Sequence, residues 1–387
     1  MSELRFLTAG ESHGPCLTAI LEGIPAGLRL CKDAVDRDLA RRQQGYGRGG
    51  RMRIERDQAE ILSGVRFGET LGGPITLSVR NRDWENWTDR MAVFGEPSGE
   101  KVTAARPGHA DLAGLQKYAR QDVRDILERS SARETTMRVA VGAVCKEFLR
   151  ACGVEVVSQV TAIGGAAVDE AKLDRSAIGT AENGSELNCY DATAEEEMKK
   201  RIRAAKEKGD TLGGVFEVMV RNVPVGLGSH IQWDRRLDAR LAGAMMSIQA
   251  IKGVEIGAGF RCAELPGSQI HDEMYLDGEG RVYRKTNRAG GLEGGMSNGE
   301  EILIRAAMKP IPTLMQPLHS IDVESRQEVL ACKERSDTCA VSAASVVGEA
   351  MTAFVMAQAM VEKFGGDSMR DVLSAVAAYR DRIGNDW

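Results

Sequence analysis

A chain of 387 residues, 43% hydrophobic and 28% charged, has the composition of an ordinary globular protein and is long enough to bury a large core. Its formal net charge of -5 argues against a broad nucleic-acid-binding surface, and no apolar run of about 18 residues supports a membrane span. The start MSELRFLTAG lacks the basic and apolar regions of a signal peptide, so a cytoplasmic protein is expected.

In chain order, strand-like runs are predicted at Leu4–Thr8, Cys16–Leu21, Ala59–Leu62 and Pro74–Val79, separated by glycine turns. Between the second and third, Val35 and Leu39 lie four residues apart in a helix over Lys32–Arg42. The clearest helix spans Ala132–Ala151, with Met137, Ala140, Val141, Val144, Phe148 and Leu149 on one apolar stripe. A strand at Val154–Ile163 precedes a charged helix at Thr193–Lys208, read as opening in a capping box of Thr193 and Glu196. Leu237–Ile251 reads as a buried helix and Ile302–Ala306 as a strand, and helices close the chain at Val341–Phe364 and Met369–Ile383. Without the regular alternation of a doubly wound sheet, this interleaving predicts one large α+β domain over residues 1–387. The eight cysteines show no CxxC pair and no zinc-finger spacing, so reduced thiols and no metal site are expected.

Five islands carry the chemistry: GESHG (Gly10–Gly14), RPGHAD (Arg106–Asp111), RSSARET (Arg129–Thr135), KPIPT (Lys309–Thr313) and RSDTCAV (Arg335–Val341). His13 and His109 sit in glycine turns, and imidazoles that titrate near neutral pH suit two separate proton transfers. The other three histidines, His230, His271 and His319, fall outside the islands and read as structural. Asp111 is placed to cap the helix that follows His109. In RSSARET, Ser131 and Glu134 predict a capping box whose free amides, with Arg129 and Arg133, suit a phosphate. In KPIPT, Pro310 and Pro312 stiffen a turn that offers Lys309 and Thr313 as donors. Arg335 and Asp337 read as a pair just before the long C-terminal helix.

The stretch QQGYGRGGRMRIERD and its flanks hold Arg41, Arg42, Arg48, Arg51, Arg53 and Arg56. Gly45, Gly47 and Gly50 match GxGxxG in spacing only, since neither strand nor helix flanks them as a dinucleotide site requires. The rival is an RGG-type nucleic-acid-binding module; the favoured reading is a mobile, solvated arginine loop that closes over a polyanionic small molecule.

The islands in this order, with SIQAIKGVEIG (Ser247–Gly257) and GGLEGGMSNG (Gly290–Gly299), resemble the chorismate synthase family from about Phe6 to about Gly348. The resemblance implies helices sandwiched between antiparallel sheets, and a 1,4-elimination of phosphate and a ring proton from 5-enolpyruvylshikimate 3-phosphate. It implies reduced FMN without net redox change, NADPH as a possible reductant, and a homotetramer. Carried over by position, FMN contacts fall on Arg129, Ser130, Ser131, Gln249 (often Asn in the family), Ala250, Gly294, Lys309, Pro310, Ile311, Pro312, Thr313 and Arg335. Arg42 and Arg48 match positions for NADP or a substrate phosphate, and Arg51 and Arg133 are further substrate candidates. His13 and His109 match catalytic histidines, and Asp337 an acid beside the flavin ring. Several negative charges brought into one cavity require local arginines, so the acidic whole is no objection.

Overall fold

A computed structural model describes residues 4–49, 56–179, 184–331 and 336–386. The first sheet holds β1 (Arg5–Ala9), β2 (Cys16–Glu22), β3 (Glu60–Ile61) and β4 (Ile75–Arg80), antiparallel throughout in the order β1-β2-β4-β3. The second holds β5 (Glu155–Ile163), β6 (Ala166–Ala167), β7 (Gly214–Arg221), β8 (Ile251–Ile256) and β9 (Ile302–Met308), antiparallel in the order β8-β9-β7-β5-β6.

Helices pack between the sheets and around them. They are α1 (Lys32–Gln43), α2 (Asp111–Tyr118), α3 (Arg124–Ser130), α4 (Thr135–Ala151), α5 (Ala192–Glu207), α6 (Leu237–Met246), α7 (Val341–Phe364) and α8 (Met369–Asp386). α4 packs on β2 and β4, α7 packs on β5 and β7, and the two helices pack on each other. This is the sandwich the resemblance implies. The stripe read from sequence in α4 is the buried one, with Met137, Val144, Phe148 and Leu149 fully inside. α4 and α7 approach so closely at Gly142 that a Cβ there would stand 2.4 Å from the Ala350 Cα. A continuous apolar core runs from Leu4 to Val376 and takes side chains from both sheets and the helices between them. Although α7 is long and apolar enough to cross a bilayer, 89% of its most apolar window is buried inside the protein.

Several boundaries differ from the sequence expectation. The predicted helix over Leu237–Ile251 ends at Met246, because Ile251 begins a strand paired with β9. β7, the central strand of its sheet, has no period-two signal in the sequence: buried on both faces, FEVMV lacks a clean alternation. α5 is capped by Asp191, whose carboxylate accepts from the amides of Thr193 and Ala194, so the Thr193–Glu196 capping box does not form. The described cysteines are free.

Candidate active site

GESHG forms the turn from β1 to β2, and its chirality is demanding: Gly10 has φ +104°, and a Cβ there would lie 2.4 Å from the Cys16 carbonyl oxygen. The turn sets His13 against α3. The Glu128 carboxylate lies 3.0 Å from His13 Nδ1 through each oxygen, and its Oε2 also accepts the His13 backbone N–H at 2.8 Å. The Trp87 ring covers the imidazole with centroids 4.0 Å apart, and Arg124 both donates to Glu128 at 2.8 Å and lies 4.8 Å over Trp87. Burial works to raise the Glu128 carboxyl, but hydrogen bonds and charge from His13, with Arg124, outweigh it and hold the group below the ordinary carboxylate range.

His109 has a similar arrangement. Its Nδ1 is 2.5 Å from Asp111 Oδ1, and Asp111 is fully buried. Arg106 donates to the same carboxylate through Nε at 2.8 Å and a terminal nitrogen at 3.0 Å, and reaches Thr313 Oγ1 at 3.3 Å. Asp111 therefore does not cap α2, whose N-terminus has no side-chain cap; its lone pairs are taken by Arg106 and His109. Burial opposes ionisation of Asp111, yet those hydrogen bonds hold its carboxyl far below the usual range. Lys309 Nζ donates to the Gly108 carbonyl, joining KPIPT to RPGHAD. Burial first, and nearby Lys252 second, hold the Lys309 ammonium below its ordinary value.

Between the sheets, Asp57 is clamped by two arginines. Arg133 contacts both its oxygens at 2.7 and 2.8 Å, and Arg42 donates to Oδ2 at 3.1 Å. Arg133 also donates to Asn81 Oδ1 at 3.0 Å, and Asn81 in turn donates to the Gly14 carbonyl at 2.8 Å, which ties the cluster to the His13 turn. Burial pushes the Arg42 guanidinium down to about 10, so it keeps its charge at neutral pH, and its Nε is buried without a hydrogen-bond partner.

Arg48 does not behave as a solvated loop residue. Its side chain is 9% exposed and pairs with Asp337 Oδ2 at 3.1 Å, while Asp337 Oδ1 accepts the Gly49 N–H at 2.5 Å. The loop is docked through Gly47, whose carbonyl accepts the Thr338 N–H. Asp337 is thus paired with Arg48 from a distant segment. Its expected partner Arg335, like Arg51 and Arg53, lies outside the described residues. Arg41 binds Glu349 and Arg42 binds Asp57, so these arginines are spent on internal carboxylates. The RGG-type nucleic-acid reading finds no support there.

A cavity of about 450 Å³ is lined by Thr8, Arg129, Glu134, Arg138, Ser247 and Gln249, with Phe6, Leu7 and Met351. Arg129 donates to the Thr8 carbonyl at 2.9 Å, and Glu134 accepts from Thr8, Arg138 and Gln249. Glu134 is thereby drawn away from the expected capping box: Ser131 Oγ accepts the Arg133 N–H at 3.2 Å, and the reciprocal half is missing. Gln249 Oε1 is buried without a partner. Next to it, Ala250 (φ +69°) accepts the Lys309 N–H at 2.9 Å, so the wall of this cavity continues into KPIPT and on to the His109 turn. A larger cavity, about 710 Å³, lies in the excursion from Ala258 to Arg288, and no described island residue lines it.

Other candidates contribute backbone or nothing visible. Ser130 Oγ donates to the Ile126 carbonyl of its own helix, and Ser131 Oγ to Ser12 Oγ at 3.2 Å. The Ile311 carbonyl accepts from Thr211 Oγ1 at 2.7 Å; Pro310 closes on Gly213 and Pro312 on Gly108. Gly294 sits in the hairpin Leu292–Glu293/Met296–Ser297, next to His230, and among the described residues no hydrogen bond ties it to the islands. Sequence reasoning missed Asp57, Asn81, Trp87, Arg106 and Glu128 as individual partners. The one available signal was Asp57, an acid that closes an arginine-rich run.

A family model described as chorismate synthase matches residues 4–361. The chorismate synthase of Geobacter sulfurreducens is 58% identical over 389 residues, covering 98% of this chain and 99% of the relative. That of Aquifex aeolicus is 58% identical over 392 residues, covering 98% of each. A solved structure titled "Crystal Structure of Chorismate Synthase" superposes with a TM-score of 0.80 at 47% identity, over 100% of this chain and 99% of the other.

Proposed function

The chain belongs to the chorismate synthase family, a carbon–oxygen lyase of the shikimate pathway acting on a small molecule, and from that premise we propose how its own residues carry the reaction. The substrate is 5-enolpyruvylshikimate 3-phosphate, which loses phosphate and a ring proton. Reduced FMN, when bound, supplies an electron-rich ring next to the substrate and leaves no net redox change. The residues fit such a group: the 450 Å³ cavity offers the cations Arg129 and Arg138, and the buried Gln249 Oε1 is an acceptor awaiting an N–H.

His109, held by Asp111, is the acid for the departing phosphate, next to the cations Arg106 and Lys309. His13, held by Glu128, would donate the proton that sets the protonation state of a bound reduced flavin. Asp337, paired with Arg48, accepts and relays the ring proton. Arg42 and Arg48 serve a phosphate of substrate or of NADPH only by exchanging Asp57 and Asp337 for it. Arg133 supports the site from within by holding Asp57. The whole chain acts as one catalytic domain in a cytoplasmic homotetramer, for which exposed apolar side chains such as Trp233, Phe260 and Phe94 are available contact surface.

The observation that carries this reading is the continuity from Arg129 and Gln249 through Ala250 and Lys309 to the His109 turn. An anaerobic assay with substrate, FMN and dithionite, with and without NADPH, tests it through phosphate release. Turnover is expected only with reduced flavin, and Gln249→Leu should weaken flavin binding by about 0.5–1.5 kcal/mol, one hydrogen bond. Turnover without flavin, or with fully oxidised flavin, overturns it.

A further inference from the structure

The histidines of this chain fall into two classes by their surroundings. His13 and His109 each present Nδ1 to a carboxylate that is itself nearly or fully buried, Glu128 at 3% and Asp111 at 0% side-chain exposure. The other three, His230, His271 and His319, form no ion pair with a carboxylate among the described residues. Two unrelated turns, one before β2 and one before α2, thus arrive at the same arrangement with different acids.

The geometry fixes which nitrogen carries the proton. An ionised carboxylate only accepts, so an imidazole nitrogen facing one at hydrogen-bond distance is the protonated nitrogen. For His13, both Glu128 oxygens are at Nδ1, and the backbone N–H of the same residue occupies Oε2 as well, which fixes the ring in rotation as well as in tautomer. For His109, the terminal Arg106 nitrogen lies 3.1 Å from Nδ1, but both groups donate, and the closer Asp111 oxygen at 2.5 Å takes the Nδ1 proton while Arg106 donates to the carboxylate. We infer that Glu128 and Asp111 are positioning residues: each holds its histidine with the proton on Nδ1, so that Nε2 is the nitrogen through which the ring exchanges protons with the reactants. This rests on the reading of His13 and His109 as the proton-transfer histidines.

The charged groups around each ring agree with this assignment. His13 is faced by Glu128 and Arg124 from α3, by Trp87 with Arg90 above it, and has Glu11 in its own turn. His109 is faced by Asp111 and Arg106, with Lys309 on the neighbouring carbonyl. In each case the carboxylate carries a guanidinium of its own, Arg124 or Arg106, which keeps it ionised and aimed.

Solid-state nitrogen-15 NMR of the sedimented full-length enzyme, with single histidine replacements for assignment, reads each tautomer directly. At a pH where the rings are neutral, His13 and His109 should show a protonated Nδ1 and a bare Nε2. In Glu128→Ala, His13 alone should lose that pattern while kcat falls on the order of 10–100-fold with KM little changed, the loss usual for a partner that orients a working histidine. Glu128→Gln keeps an acceptor oxygen and should restore the pattern and part of kcat. Asp111→Ala and Asp111→Asn should do the same for His109. A wild-type enzyme with the proton on Nε2 overturns the inference, and this spectrum decides even where a variant does not fold. A fall in kcat with the tautomer unchanged also overturns it, because the carboxylate would then be only a packing element. His13→Ala or His109→Ala turning over at the wild-type rate would instead refute the catalytic reading beneath, while the spectrum still reported the geometry.

Discussion

Asp57→Asn is the sharpest perturbation of the buried site. The Asp57 side chain is completely buried and contacts Arg133 at 2.7 and 2.8 Å and Arg42 at 3.1 Å, and among the described residues Arg42 pairs with no other carboxylate. Each guanidinium–carboxylate contact is worth about 4 kcal/mol of Coulomb energy at roughly 4 Å and an effective dielectric near 20. Asparagine retains shape and one acceptor but removes the buried charge that both guanidiniums contact, and it leaves Arg42 without a carboxylate among the described residues. The net loss expected is about 3–5 kcal/mol, the cost of removing one partner of a buried pair, against a total stability of about 5–15 kcal/mol. The pH dependence follows from the same contacts. Burial tends to raise the Asp57 carboxyl, but Arg133 and Arg42 outweigh it, so the folded value lies below the ordinary one. A depressed carboxyl contributes stability that is complete above its unfolded value near 3.9 and is lost as pH falls through the folded value. Urea unfolding of both proteins should therefore show the full gap at pH 7, unchanged between pH 6 and 8, and a narrowing gap below about pH 4. A loss under about 1 kcal/mol at pH 7, or a gap that widens in acid, would refute the claim that the Asp57 charge holds the two arginines.

Two further substitutions test the framework around this site. Asp337→Asn keeps an acceptor for the Gly49 amide but removes the charge paired with Arg48, so kcat should fall on the order of 10²–10⁴-fold with flavin and substrate affinity little changed; full turnover across the pH range would make Asp337 a structural partner only. Gly142→Ala gains about 1 kcal/mol of helix propensity, yet it forces apart backbones that meet at Ala350, so a net loss of about 1–3 kcal/mol is expected in thermal unfolding, and an unchanged melting temperature would show that α4 and α7 can separate freely.

What the sequence determined by itself is what is local or matched by position. The stripe from Met137 to Leu149 specifies the buried face of α4, because side chains three and four residues apart share a face whatever surrounds the helix. Glycine turns placed His13 and His109 in loops, and the order of the islands sufficed for the family. Capping was read less well: Thr193 yielded to Asp191, and Glu134 left Ser131 for Thr8, Arg138 and Gln249, since a cap competes with every other donor the fold brings near. Only the tertiary structure decided the ion pairing. Glu128 meets His13 across 115 residues, Asp57 meets Arg133 across 76, and Arg48 meets Asp337 from a distant segment of the chain. A charge attracts any opposite charge that approaches it, so no local pattern names the partner. The choice is made when two sheets close on α4 and α7 and bury some of these groups together, where each unpaired charge would be costly.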